Sequence, residues 1–230
     1  MSVKLGLPSK GRLMEAAFAW FAERGIRLRR TGTEREYAGA VDGIEGVALV
    51  LLSAAEIPRE LAEGRLHLGV TGQDLMRETY PDWRARVEEL APLGFGHADL
   101  VLAVPRFWAD VDTLDDLDAA AAAFRARHGH RLRIATKYHN LVREHLRAHG
   151  VADYQLVDSQ GATEGTVANL TAEAVADITS SGETLRANHL KVLAGPPILQ
   201  SQAVLFGARA ASTEDAAALA ALRARLDCTS

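Results

Sequence analysis

A single cysteine, Cys228, stands in the 230-residue chain, third from its end. A lone thiol builds neither a disulfide framework nor a cysteine-based zinc site, and its terminal position argues against a nucleophilic role. No apolar run approaches the roughly 18–20 residues of a membrane-spanning helix. Residues 1–8 (MSVKLGLP) lack the apolar stretch and small-residue cleavage site of a secretion signal. Basic residues are not in excess: 26 Lys and Arg face 30 Asp and Glu, for a formal net charge of −4. That balance argues against a general nucleic-acid or membrane-surface binder and leaves room for a local basic pocket. A Walker loop, a G-x-S-x-G elbow and an H-E-x-x-H helix are all missing. The run GFGHAD at 94–99 lacks the third glycine of a dinucleotide fingerprint and precedes a strand rather than following one. The expectation is a cytoplasmic protein with no nucleic-acid and no membrane partner.

What is present is an ordinary globular composition, 48% hydrophobic and 24% charged. A chain of this length buries roughly 70–75% of its unfolded surface without any covalent staple. Short apolar runs alternate with longer amphipathic ones. Strands are expected at Val3–Leu7, Gly46–Leu52, Leu66–Thr71, Asp99–Pro105, Arg131–Ala135, Tyr154–Val157 and Ala174–Thr179. Helices are expected at Leu13–Arg24, Ile57–Glu63, Asp115–His128, Lys137–His149 and Thr213–Leu226, one beginning at Gln73 and a short one between Thr163 and Leu170. The alternation predicts an α/β fold with mostly parallel sheets. Two lobes fit best: residues 1–92 plus 190–230, and residues 93–189. Open α/β sheets place ligands beyond the carboxyl ends of their strands, so the chemistry is expected in a cleft between the lobes.

Four strand-to-helix junctions carry the polar residues such a site needs. In VADITSSGETL at 175–185, an apolar strand holds Asp177 near its end and runs into a hydroxyl-rich turn. Ser180, Ser181 and Thr184 offer hydroxyls, Gly182 permits close backbone approach, and the next segment offers helix N–H groups to a phosphate. Asp177 would stand about one sugar ring away, facing ribose hydroxyls. The plainer alternative is that Ser180 or Ser181 caps a helix and Asp177 is a structural acid. In LPSKGRL at 7–13, Lys10 and Arg12 flank Gly11 where a helix begins, an unfavourable place for cations unless an anion offsets them; otherwise they are solvated surface charges. In LGVTGQD at 68–74, Gly72 would admit a purine ring close to the backbone, and Asp74 either helps there or caps the helix. In RIATKYHN at 133–140, Thr136 is a candidate cap and Lys137 shares the dipole conflict of Lys10. His145 and His149, one helical turn apart, and His128 and His130 read as exposed histidines rather than a zinc site. The cluster Arg24, Arg27, Arg29 and Arg30 reads as a solvated face.

Taken in order, LPSKGRL, LGVTGQD, RIATKYHNL and ADITSSGETLRAN resemble the ATP phosphoribosyltransferases that open histidine biosynthesis. The resemblance implies two lobes of periplasmic-binding-protein-like (type II) architecture. It implies transfer of the 5-phosphoribosyl group of 5-phosphoribosyl-1-pyrophosphate (PRPP) to N1 of ATP with Mg²⁺, which the substrate phosphates would largely hold. It assigns Asp177 to the ribose, Ser180, Ser181, Gly182, Glu183 and Thr184 to the 5-phosphate, and Glu164 to the same site, with Lys137 and Tyr138 also binding substrate. Lys10, Gly11, Arg12, Gly72 and Asp74 fall on the ATP side, and Lys10, Arg12 and Asp177 are the catalytic candidates. The length resembles the short form, a homodimer working with a regulatory subunit similar to histidyl-tRNA synthetase. Many members carry an arginine near the position of Ser53; if it neutralises pyrophosphate, Arg12, Arg59 or a partner's cation must substitute. His139 and Glu173 stand where proline and aspartate are common. Two rivals remain: a two-lobed solute-binding or ligand-sensing protein, and a phosphoribosyltransferase for free bases. The common base-specific type has paired acids before its phosphate loop, whereas Ala176 precedes Asp177 here.

Overall fold

Runs of Val, Leu and Ile become strands wherever both faces can be covered. The computed structural model describes residues 2–30, 38–159, 161–210 and 216–226; Cys228 lies outside them. In chain order the elements begin β1 (Val3–Pro8), α1 (Gly11–Glu23), β2 (Arg27–Arg30), β3 (Ala38–Asp42), β4 (Val47–Leu52), α2 (Ile57–Ala62) and β5 (Leu68–Gly72). Then come α3 (Gln73–Thr79), α4 (Trp83–Arg86), β6 (Val87–Pro92), β7 (Ala98–Pro105), α5 (Leu114–His128), β8 (Leu132–Thr136) and α6 (His139–Ala148). The last are β9 (Tyr154–Asp158), α7 (Gly165–Ala168), β10 (Ala174–Thr179), α8 (Glu183–Ala187), β11 (Leu190–Val192), β12 (Leu199–Ser201), β13 (Ala203–Ala208) and α9 (Ala216–Arg225).

The chain forms two compact units, Met1–Gly96 with Gln202–Ser230, and His97–Ser201. The return to the first unit comes at 202 rather than at the expected 190. The reason is β-pairing: β11 lies antiparallel to the end of β7 (Leu190 opposite Pro105), and β12 to its beginning (Leu199 opposite Leu100).

The first unit is a seven-stranded sheet in the order β2-β3-β4-β1-β5-β13-β6. Only β1 with β4 and β1 with β5 run parallel; the β2, β3, β13 and β6 pairings are antiparallel. The expected parallel sheet is therefore a parallel centre with antiparallel flanks. Val3, Leu5 and Leu7 of β1 pack with Phe21, Leu49, Leu51 and Leu205. A second cluster gathers Ile57, Leu61, Leu66, Met76, Trp83 and Phe206. Burying each large side chain of this kind contributes roughly 1.5–3 kcal/mol.

The second unit has the strand order β11-β7-β10-β8-β9, with β12 also on β7. β10 pairs antiparallel with β7 and parallel with β8, and β8 pairs parallel with β9. The apolar run of β7 is buried from Leu100 to Pro105, as a central strand requires. α5 begins with a reciprocal capping box between Thr113 and Asp116. Among the described residues no helix is long and apolar enough to cross a membrane.

Candidate active site

In the first unit the parallel strands β4, β1 and β5 end at Leu52, Pro8 and Gly72, and α2, α1 and α3 begin just beyond. This edge is laced together by short bonds. Ser9 N–H donates to the Leu52 carbonyl (2.7 Å), buried Thr71 Oγ1 donates to the Ala54 carbonyl (2.8 Å), and Ser53 N–H donates to Glu56 Oε2 (2.9 Å). Lys10 occupies the cap position of α1 with extended backbone and no side-chain cap, and α1 has no acid in its first turn. Gly11 follows at φ +77°, and Lys10 and Arg12 are exposed. The dipole conflict read from the sequence is thus present within the helix: two cations at its start and no acid in its own first turn. A cleft of about 620 Å³ opens here, lined by Ser9, Lys10, Arg30, Leu51, Leu52, Ser53 and Glu56.

Gly72 and Asp74 belong to the same edge. Gly72 itself is the cap residue of α3 and has no side chain to cap it. Asp74 is buried, and a methyl group on Gly72 would lie 2.2 Å from its Oδ1. The space on the Cβ side of Gly72 therefore holds the chain's own carboxylate. Arg59, one candidate to replace the missing arginine, is turned onto Glu63 Oε1 at 3.1 Å.

In the second unit β10, β8 and β9 run parallel with Ala176 opposite Thr136 and Thr136 opposite Asp158. Asp177, Lys137 and Ser159 are consequently the next residues of three adjacent strand ends. Asp177 is half-buried, and its Oδ1 accepts the Ile178 N–H at 2.8 Å. The loop beyond it is built by its own hydroxyls: Gly182 N–H donates to Thr179 Oγ1 (2.8 Å) and Glu183 N–H to Ser181 Oγ (3.3 Å). Gly182, in the left-handed region at φ +69°, is the cap residue of α8, and Ser181 Oγ accepts the N–H of that helix's first residue. Ser180, Ser181, Glu183 and Thr184 are exposed.

Lys137 Nζ donates to the Gly161 carbonyl at 2.6 Å, tying the end of β8 to the loop after β9. That loop is fastened internally by buried Ser159 and Thr163, whose hydroxyls meet at 2.8 Å. Glu164 follows as the cap residue of α7, its side chain not capping the helix. Thr136, fully buried, accepts the Tyr138 N–H on Oγ1 (2.9 Å) and so shapes the turn rather than capping α6. Tyr138 is itself buried. His139 Nε2 comes 2.7 Å from Asp158 Oδ1, close enough for an ion pair with a protonated ring but without hydrogen-bond geometry. Glu173 holds Arg133 through Nη2 and Nε and also accepts the Arg133 N–H at 2.7 Å. Burial pushes the Glu173 carboxyl up, yet the Arg133 bonds outweigh it and leave its pKa below the ordinary value.

Sequence reading missed Ser159 and Thr163, whose pairing depends on the fold. It also missed Arg186, whose Nη1 lies 3.0 Å from where a Gly182 methyl would stand, and Arg30 in the first unit's cleft. His145 is not a plain surface histidine: its ring stacks 4.3 Å from that of His149, and burial, then the His149 charge, lowers its pKa. Among the described residues no three His, Cys, Asp or Glu side chains gather to hold a metal.

The family model described as "HisG: ATP phosphoribosyltransferase" matches residues 53–228. An ATP phosphoribosyltransferase of Cereibacter sphaeroides is 72% identical over 227 residues, covering 98% of this chain and 96% of the relative. One of Chelativorans sp. is 53% identical over 210 residues, covering 91% of each. In fold, the chain is similar to the ATP phosphoribosyl transferase (HisG:HisZ) complex from Thermotoga maritima, with TM-score 0.71, 19% identity, and 98% and 96% of the chains covered. It also resembles a substrate binding protein of an amino acid ABC transporter, with TM-score 0.55, 11% identity, and 98% and 91% covered. With four strand-end motifs converging at two sheet edges and relatives of this identity along nearly all its length, the chain belongs to the ATP phosphoribosyltransferase family.

Proposed function

We propose that this chain is the catalytic subunit that transfers the 5-phosphoribosyl group of PRPP to N1 of ATP, releasing pyrophosphate in the first step of histidine biosynthesis. Family membership supports the reaction. The observation that carries the site is the meeting of Asp177, the 179–184 loop, Lys137 and the 159–165 loop at one sheet edge of the second unit. Asp177 takes the ribose hydroxyls, and Ser180, Ser181, Gly182, Glu183 and Thr184 surround the 5-phosphate, with Lys137 and Glu164 beside them. Lys10, Gly11, Arg12 and the Gly72–Asp74 turn serve ATP.

The attacking N1 is a neutral aromatic nitrogen with no proton to lose, so no side chain need act as general base. What the protein must supply is alignment of C1 with N1 and compensation of charge on the departing pyrophosphate. Lys10 and Arg12 are cations placed where a helix start adds to their field. Asp177 can also offset positive charge growing on the ribose. Mg²⁺, carried chiefly by the substrate phosphates, would add Lewis-acid neutralisation of the phosphate oxygens. The solved HisG:HisZ complex of similar fold supports a HisZ-type partner for this chain. In our reading that partner is a regulatory subunit resembling histidyl-tRNA synthetase, joined to a dimer of this chain in the cytoplasm.

Mixing the chain with ATP, PRPP and Mg²⁺, with and without such a subunit, should give an absorbance rise that requires both substrates. Binding of PRPP with no product under any condition would favour the solute-binding reading. Product from adenine or orotate but not from ATP would favour a base-specific transferase.

A further inference from the structure

We infer that Arg30 is a further substrate-binding residue, a guanidinium that clamps a phosphate chain in the cleft of the first unit. The inference rests on the reaction proposed for this chain, whose two substrates both carry polyphosphates. Four arginines crowd residues 24–30, and the fold sends them to different places. Arg24 lies over the Trp20 ring at 3.6 Å, and Arg29 forks onto both carboxylate oxygens of Asp42. Strand alternation turns Arg30 to the opposite face of β2 from Arg29. There its Nη2 donates to the Ser9 carbonyl at 2.9 Å, and both residues line the cleft with Ser53.

That bond ties the guanidinium to the Ser9 carbonyl and uses one of five N–H donors. The others have no partner among the described residues. An arginine with a free planar fork, held in place before any ligand arrives, suits two oxygens of one phosphate or of neighbouring phosphates. The rest of the lining agrees. Lys10 adds a second cation, and Ser9 and Ser53 add hydroxyls. Glu56 is the one acid, and its Oε2 is turned to the Ser53 N–H. Two cations against one carboxylate leave the cleft positive, and its volume of about 620 Å³ is ample for a di- or triphosphate. Arg59, engaged by Glu63, and Arg12 do not line it.

The phosphate chain could be that of ATP or the pyrophosphate of PRPP, and one set of variants separates them. Inorganic pyrophosphate with Mg²⁺ is titrated calorimetrically into the full-length chain and into Arg30→Gln, Arg30→Ala and Arg30→Lys, with steady-state constants for both substrates measured beside the regulatory subunit. Arg30→Gln keeps side-chain N–H donors but no charge, so it separates binding from mere support of the Ser9 loop. The expected result is a roughly tenfold or larger loss of pyrophosphate affinity in Gln and Ala alike, with a smaller loss in Lys, and unchanged melting of the Gln variant. A raised KM for PRPP alone would assign the cleft to pyrophosphate, and a raised KM for ATP alone to the triphosphate. Wild-type affinity in Arg30→Gln would overturn the inference, as would an equal loss for unphosphorylated adenosine. A wild-type chain that binds pyrophosphate through Arg30 but makes no product would sink the proposed reaction and leave this site standing.

Discussion

Asp74 lies folded over Gly72, its Oδ1 2.2 Å from where a methyl group on that glycine would stand. The contact joins the last residue of β5 to the first turn of α3, on the edge assigned to ATP. Gly72→Ala must therefore displace a buried carboxylate. We expect a destabilisation of about 1–3 kcal/mol in urea unfolding, as for other overpacked sites, together with a raised KM for ATP. An unchanged unfolding midpoint would show that Asp74 has another place to go.

Asp177→Ala and Thr184→Val should strike PRPP far more than the fold. Thr184 is exposed and Asp177 only half-buried, so stability should change little, by about 0.5 kcal/mol for Thr184. Losing one charge-assisted hydrogen bond to the sugar should weaken PRPP use roughly tenfold or more. Steady-state kinetics and thermal melts on the same preparations check both halves. Lys10→Ala should act chiefly on ATP; a selective loss of PRPP affinity would reverse the assignment of the two edges.

Glu173 gives a pH dependence with a definite sign. Its carboxyl sits below the ordinary value because the Arg133 bonds overcome burial, so folding favours its charged form. The stability from this pair is whole above the unfolded carboxyl's pKa, near 4.3, and drains away as pH falls through the lower folded value. Glu173→Gln should be less stable than wild type at pH 7, with the gap narrowing below pH about 4. Denaturant unfolding across pH 3 to 7 reads the gap directly, and a gap that widens in acid would refute the sign.

Lys137 spans two loops through the Gly161 carbonyl. Lys137→Met keeps the aliphatic stem and removes the donor. Hydrogen exchange should quicken across residues 159–165 while the β8 amides stay protected, and KM for PRPP should rise. Unaltered exchange would mean that the Ser159–Thr163 bond suffices to hold the loop.

How much of this was legible beforehand follows from burial. The parallel centre, β1, β4 and β5, announces itself through continuous Leu and Val, as does β7. β2, written RLRR, has three exposed arginines around a half-buried Leu28, so its pattern is that of a charged surface. β11 and β12 are three residues each, too short for alternation to register, and they moved the unit boundary. Asp177 and the hydroxyl turn were readable because they are contiguous. The clasp of Ser159 on Thr163, the fold-back of Arg186 and the turn of Arg30 toward Ser9 arise from spacing and direction that no linear motif records.

The second unit is inserted between β6 and β13, and β13 is not an edge strand: it lies between β5 and β6, with Val204, Leu205 and Phe206 buried. A nascent chain emerging from the ribosome therefore has a gap in its first sheet until residues 203–208 arrive. The inserted segment, continuous from 97 to 201, meets no such delay. Synthesis order and assembly order are thus inverted, and the earliest-made strands are the last to be sealed. Stalled or truncated translation products ending before β13 would expose the unpaired backbone of β5 and β6, an invitation to aggregation that a chaperone must cover.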